Sequence, residues 1–398
     1  MKHSSPVTQG LLIFLIAFWI RFIAAVVTTI TNANPESRSD ARGFGSAAEY
    51  TAEGLLQGQL VFPDATITYQ LWGLFLSPFW LVPGPSGFYA RIGNAFLGAF
   101  AIYNVYLIAR YYHSHQAGTI AVLPMTFFPS IVAIHSTLLR EAIILFGITT
   151  AVRLIILPSR ERTKWLLYGV AFIAIYISYI HRPDNYVIFM MGFTAGVIVY
   201  AIESGYITKK VTSIVVAASA LVVIVFWPVV RSGVVQLFSF VTYGVERLAD
   251  VRATRAGRGR TDYLVNAIPE TISELIAFSW IGAAYFLYAP FPWMIDTIPD
   301  IIISIEGLIT IGFSIAALWG LRTLAQRNKA FTATLVVGLL LAVVFYGVGT
   351  VNFGTGMRHR QMFTWIIFLF GGIGIANHVR FIGLPKFIQS KKDTTERP

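Results

Sequence analysis

Ile67–Val82 reads ITYQLWGLFLSPFWLV, sixteen mostly apolar residues bounded by Pro63 and Pro83. The run is apolar enough to enter a membrane. It is short for crossing one, because a spanning helix needs about 20 such residues. Whether it spans or lies at the interface decides which side every later loop faces.

The surrounding chain makes this a membrane question. Of 398 residues, 56% are hydrophobic and 12% charged, and the mean hydropathy is +0.67. A soluble domain carries about 25% charged residues. Apolar runs of helix length recur throughout, so the chain is read as all-α, a polytopic membrane protein. The net charge of +11 then reads as a topology signal with anion sites. Cysteine is absent, which excludes disulfides, thiolate metal sites and a cysteine nucleophile. The first apolar run is long, interrupted by Arg21 and followed by no small-residue cleavage site, unlike a cleavable leader.

Ten spans are expected, near Leu11–Ile30, Phe88–Ala109, Gly118–Ile134, Ala142–Leu157, Trp165–Ile180, Tyr186–Ile202, Val211–Val230, Ile301–Gly320, Phe331–Gly349 and Met362–Ala376. Lys- and Arg-rich short loops face the cytoplasm. They are Arg160–Lys164, Lys209–Lys210, Arg322–Lys329 and the tail, residues 380–398. All fall on one side, with both termini, if Ile67–Val82 lies at the outer interface and Glu274–Ala289 is interfacial or re-entrant. The chain is then a single integral membrane domain in the cell membrane. Residues 31–87 form a first outer loop with juxtamembrane helices, and 231–297 form a long outer loop.

That topology gathers the chemistry on the non-cytoplasmic face. Arg38–Gly58, RSDARGFGSAAEYTAEGLLQG, reads as a loop holding Asp40, then an amphipathic helix starting near Gly45. Asp40 is a candidate general base or cation ligand, or an ordinary helix cap. Glu49 and Glu53 share one helix face, and Glu49 is kept as a candidate. His135, Arg140 and Glu141 lie where two spans meet. His181 and Arg182 sit in a tight loop, where a guanidinium can grip phosphate with its planar fork. Arg258, Arg260 and Tyr263 belong to an arginine-dense stretch, RATRAGRGRTDY. Arg358, His359 and Arg360 open the last span after a glycine-rich loop. Cations there are costly unless they face protein, water or an anion. Arg21 and Glu306 lie inside spans and could pair. Arg153 is expected to snorkel.

The order of one span, an outer loop with Asp40, then Ala47-Ala48-Glu49-Tyr50, Gly54, an aromatic interfacial run and Arg91–Asn94 resembles the GT-C superfamily of polyprenyl-phosphate-sugar-dependent glycosyltransferases. The resemblance implies a catalytic acid in the first outer loop, matched by Asp40, with two juxtamembrane helices after it. The second half, with its long outer loop and arginine-rich ends, is also similar to lipid-linked polysaccharide polymerases and O-antigen ligases. These two resemblances imply transfer of a sugar from a polyprenyl-phosphate-linked donor to a glycan, lipid or protein acceptor. Asp40 would be the base, with arginines on the leaving phosphate. The alternatives are a polymerase or ligase using a lipid-diphosphate oligosaccharide, and a transporter or flippase of an anionic lipid or solute. No cofactor is required by the residues, and a divalent cation stays open. The expected partners are the donor lipid, the bilayer and the acceptor, and not nucleic acid.

Overall fold

The computed structural model describes residues 6–31, 38–156, 161–205, 250, 252, 254, 260–269 and 271–379. Among them every regular element is helical, apart from one isolated bridge between Asp262 and Asn352. The expected span Val211–Val230 and the basic tail from residue 380 lie outside the described residues, as does Arg258.

The helices divide between two compact units. The first draws on Met1–Ile177, Gly312–Thr323 and Ile367–Pro398, the second on Ser178–Ile311 and Leu324–Ile366. In order, the helices are α1 Pro6–Ile30, α2 Arg38–Leu56, α3 Ile67–Leu76, α4 Pro78–Leu81, α5 Gly87–Tyr112, α6 His115–Phe127, α7 Pro129–His135, α8 Glu141–Ile156 and α9 Glu161–His181. Then come α10 Pro183–Glu203, α11 Ile272–Tyr288, α12 Ile298–Arg327, α13 Lys329–Gly349 and α14 Phe353–His378.

Among the described residues, five stretches are long and apolar enough to cross a bilayer: Gln9–Ile30, Gly87–Tyr112, Thr163–His181, Ile298–Arg327 and Lys329–Gly349. The pair α6 and α7, bent by 70°, would make a sixth if it counts as one span. These long apolar helices make the chain a polytopic membrane protein.

The opening question has a local answer. Ile67–Val82 folds as α3 and α4, joined at Ser77. Pro78 has no N–H to continue the ladder, so the helix ends before it. Ten residues reach roughly 15 Å at 1.5 Å each, about half the hydrocarbon thickness. Neither helix can span alone.

Two boundaries differ from the sequence reading. Asp40 sits in the first turn of α2, not in a loop before it. A carboxylate there favours the positive helix end. Ala41, Phe44, Ala47, Ala48 and Ala52 also recur every three to four residues and are all buried, so the amphipathic pattern begins earlier than Gly45. The expected span Gly118–Ile134 is broken. Phe128 is extended (φ −63°, ψ 117°) and Pro129 starts α7. Pro129 cannot donate to the carbonyl of Met125, four residues back. Arg21 supplies that donor instead: its Nη2 lies 2.6 Å from Met125 O.

In the second unit, α10 packs on α13 through small residues. A Cβ at Gly192 would fall 2.7 Å from Thr334 O, and one at Gly196 would overlap the Thr334 hydroxyl. Small residues at such spacing let helix backbones approach closely, which drives association where lipid removes the hydrophobic term.

Candidate functional site

In the first unit the candidate acid is built by α2 and α3. Asp40 is half-buried, and the Tyr69 hydroxyl donates to its Oδ1 at 3.2 Å. The ring of Tyr69 packs on Phe44, centroids 4.5 Å apart. This approach needs a glycine, because a Cβ at Gly43 would fall 2.6 Å from Tyr69 Cε1. On the same aromatic pair sits Arg140, its guanidinium carbon 5.5 Å from the Phe44 centroid. A carboxylate, a phenol and a guanidinium thus gather around Phe44.

The Thr137–Leu139 backbone carries Arg140 and is held by two side chains. Asn94 Nδ2 donates to Thr137 O at 2.7 Å and Leu139 O at 2.8 Å. Trp72 Nε1 donates to Leu138 O at 2.7 Å. Behind it, His135 is fully buried and its Nδ1 accepts from Arg21 Nε at 3.4 Å. The Ser136 hydroxyl donates to Arg21 O at 2.9 Å. Arg21 therefore finds its partners within its own unit, in Ala17 O, Met125 O and His135. Glu141 is buried in the first turn of α8. Glu49 is exposed. Nine residues from Asp40, it lies roughly 180° round the helix, so α2 does not bring the two carboxylates together. Arg153 does not snorkel freely: its Nη1 donates to Asn104 Oδ1 at 3.1 Å, and its guanidinium carbon lies 5.2 Å from the Tyr103 centroid.

In the second unit the basic candidates separate into two roles. Arg182, the N-cap of α10, contacts His359 of α14 directly. His359 packs on Tyr346, centroids 4.8 Å apart. The Tyr346 hydroxyl donates to Asn185 Oδ1 at 2.6 Å. So Arg182 and His359 meet at the start of α10, with the guanidinium donating to the imidazole. Next to them in sequence, His181 and Arg358 are buried.

Other arginines are taken up by the protein. Arg360 Nη1 donates to Leu287 O at 3.0 Å and Ala289 O at 2.7 Å, the terminal carbonyls of α11. Arg260 grips Asp300 through both terminal nitrogens, at 2.8 and 3.1 Å. That hydrogen bond pushes the Arg260 pKa further up. Tyr263 is buried, and its hydroxyl has no hydrogen-bond partner among the described residues. Burial pushes that phenol up, opposed by the nearby charges of Arg252 and Arg360.

Sequence reasoning missed Tyr69, Phe44 and Tyr346 as members of these clusters. The available signal was Gly43 and Gly45 inside an amphipathic helix, a mark of close approach by a neighbour.

The long apolar helices, the short helix pair after α2 and the polar clusters together define a polytopic all-α membrane protein. Over 92% of its length the chain matches the fold of the Archaeoglobus fulgidus oligosaccharyltransferase, solved crystallographically in its apo form, with a TM-score of 0.51 and 11% identity. The chain spans about half of that protein, 50% of its length. At this identity the likeness is one of fold. No family model matches the chain, and no curated protein matches it in sequence.

Proposed function

We propose that this chain is a membrane glycosyltransferase of GT-C type, moving a sugar from a polyprenyl-phosphate-linked donor to an acceptor hydroxyl. Asp40 is the general base. It takes the acceptor proton as the hydroxyl oxygen attacks the anomeric carbon. The bond from that carbon to the donor phosphate breaks, and the phosphate leaves with the electron pair. Direct displacement inverts the anomeric centre, through an oxocarbenium-like transition state. Arg140, set on the Phe44 ring in the same unit, is the cation for the leaving phosphate and its growing charge. The Arg182–His359 pair of the second unit is a separate candidate site for a lipid phosphate.

The observation that carries this reading is the setting of Asp40. It is a half-buried carboxylate one helix beyond α1, oriented by the Tyr69 hydroxyl and flanked by Arg140 across Phe44. The fold likeness to an oligosaccharyltransferase supports the reaction class. A divalent cation takes about six oxygen ligands. Asp40 brings one carboxylate, Glu49 is turned away, and the described residues hold no cluster of three or more His, Asp or Glu able to bind a metal. Among the described residues, the donor set around Asp40 does not fit such an ion.

The test is transfer by the purified chain in proteoliposomes loaded with a polyprenyl-phosphate sugar. Asp40→Asn should abolish transfer and keep donor binding. The likeness also favours a second reading, transfer of a preassembled oligosaccharide. Product mass separates the two: a gain of one sugar, or of a whole block.

A further inference from the structure

The carbonyls just beyond a helix end lack intrahelical donors. Between α7 and α8, side chains supply them. Thr137 O and Leu139 O accept from Asn94 Nδ2, and Leu138 O accepts from Trp72 Nε1 at 2.7 Å. Three consecutive carbonyls are held by two side chains, both almost fully buried. The Leu138 side chain is pinned as well, since a Cβ at Gly45 of α2 would fall 3.1 Å from its Cδ1. Arg140 is the residue that follows this turn. Its guanidinium lies over Phe44, the ring on which Tyr69 packs.

Tyr69 and Trp72 stand three residues apart on α3, so they share one helix face. One orients Asp40, and the other holds the turn that carries Arg140. The helix between them is seated on α2, because a Cβ at Gly73 would fall 2.9 Å from the backbone of Ala47. We infer that Trp72 is a positioning residue for Arg140, and that α3 sets the spacing between the base and the phosphate cation. The inference rests on the proposed roles of Asp40 and Arg140. It adds that the two functions divide along α3: loss of the Tyr69 hydroxyl acts on proton removal, and loss of the Trp72 N–H acts on phosphate binding.

The test measures binding of geranylgeranyl phosphate to the full chain in nanodiscs, in an Arg182→Gln background that removes the second-unit site. Trp72→Phe deletes the N–H and keeps an aromatic ring. It should weaken binding roughly fivefold, the size of one net hydrogen bond. Added to Arg140→Met it should change binding no further, because no guanidinium is left to position. Asn94→Ser, which keeps at most one of its two bonds, should show the same dependence on Arg140 and serves if Trp72→Phe does not fold. Tyr69→Phe should slow transfer and leave phosphate binding at the parent level. Trp72→Phe that binds like the parent, beside a weakened Arg140→Met, overturns the inference and leaves the role of Arg140 standing. An equal loss with and without Arg140 also overturns it, since a tryptophan that serves only folding would give that result. Arg140→Met that binds the phosphate as tightly as the parent overturns the role of Arg140 itself, and the inference falls with it.

Discussion

Tyr69 reaches back 29 residues to place its hydroxyl 3.2 Å from Oδ1 of Asp40. The contact joins the first turn of α2 to the first turn of α3, and it fixes where the carboxylate points. A base must lie within hydrogen-bond reach of the proton it removes, so geometry precedes basicity. Tyr69→Phe should therefore slow transfer about tenfold, well short of the roughly 10²- to 10⁴-fold expected for loss of a general base. Steady-state kinetics on the two variants side by side would show it. A Tyr69→Phe enzyme as fast as the parent removes Tyr69 from the account.

Gly43→Ala should have the same effect by another route. In an ordinary helix interior the change gains about 1 kcal/mol of propensity. Here the new methyl would lie 2.6 Å from the Tyr69 ring. A ring packed on Phe44 at this distance cannot yield without leaving Asp40. Transfer by Gly43→Ala should fall to the level of Tyr69→Phe, and the double variant should lose little more. Additive losses would show that the two residues act independently.

Arg21 should prove structural. It replaces the donor that Pro129 lacks, and it is fully buried. Arg21→Met leaves Met125 O unmet, a cost of about 1–3 kcal/mol. Thermal unfolding of the purified protein should show a lowered Tm. Pro129→Ala restores an N–H at that position, so the loss should shrink in the double variant. An Arg21→Met protein with an unchanged Tm contradicts this reading of the bend.

The arginines of the second unit should sort by partner. Arg182→Lys keeps the charge but loses the planar fork, and binding of a polyprenyl phosphate in vesicles should weaken roughly tenfold. Arg260→Gln removes an ion pair that is half-exposed at the arginine and buried at Asp300, worth about 1 kcal/mol. Asp300→Ala costs more, about 1–2 kcal/mol, because Asp300 also accepts from the backbone and hydroxyl of Thr297. Denaturation of the two stability variants would order them, and the reverse order would remove the cap from the explanation.

Helix positions were the most legible part of the chain. α13 was expected at Phe331–Gly349 and runs Lys329–Gly349, its start set by Asn328 accepting from Phe331 N at 2.9 Å. Periodicity and hydropathy act locally, and so do caps. The bend at Phe128 was missed although Pro129 stood in plain view, because an apolar window averages over one proline. The fate of individual charges was least legible. Arg360 is used by carbonyls 71 and 73 residues away, and no local pattern encodes such a pairing. The same holds for Tyr69, an unremarked tyrosine in an apolar run. Asp40 itself was found by its place after α1, and its partners only by the fold.

The central claim is that Asp40 removes the acceptor proton. Its most direct test is single-turnover transfer by Asp40→Asn in proteoliposomes, with donor binding measured on the same preparation. The account predicts that donor binding persists while transfer falls by roughly 10² or more. An Asp40→Asn chain that binds donor and transfers sugar at the parent rate would contradict it.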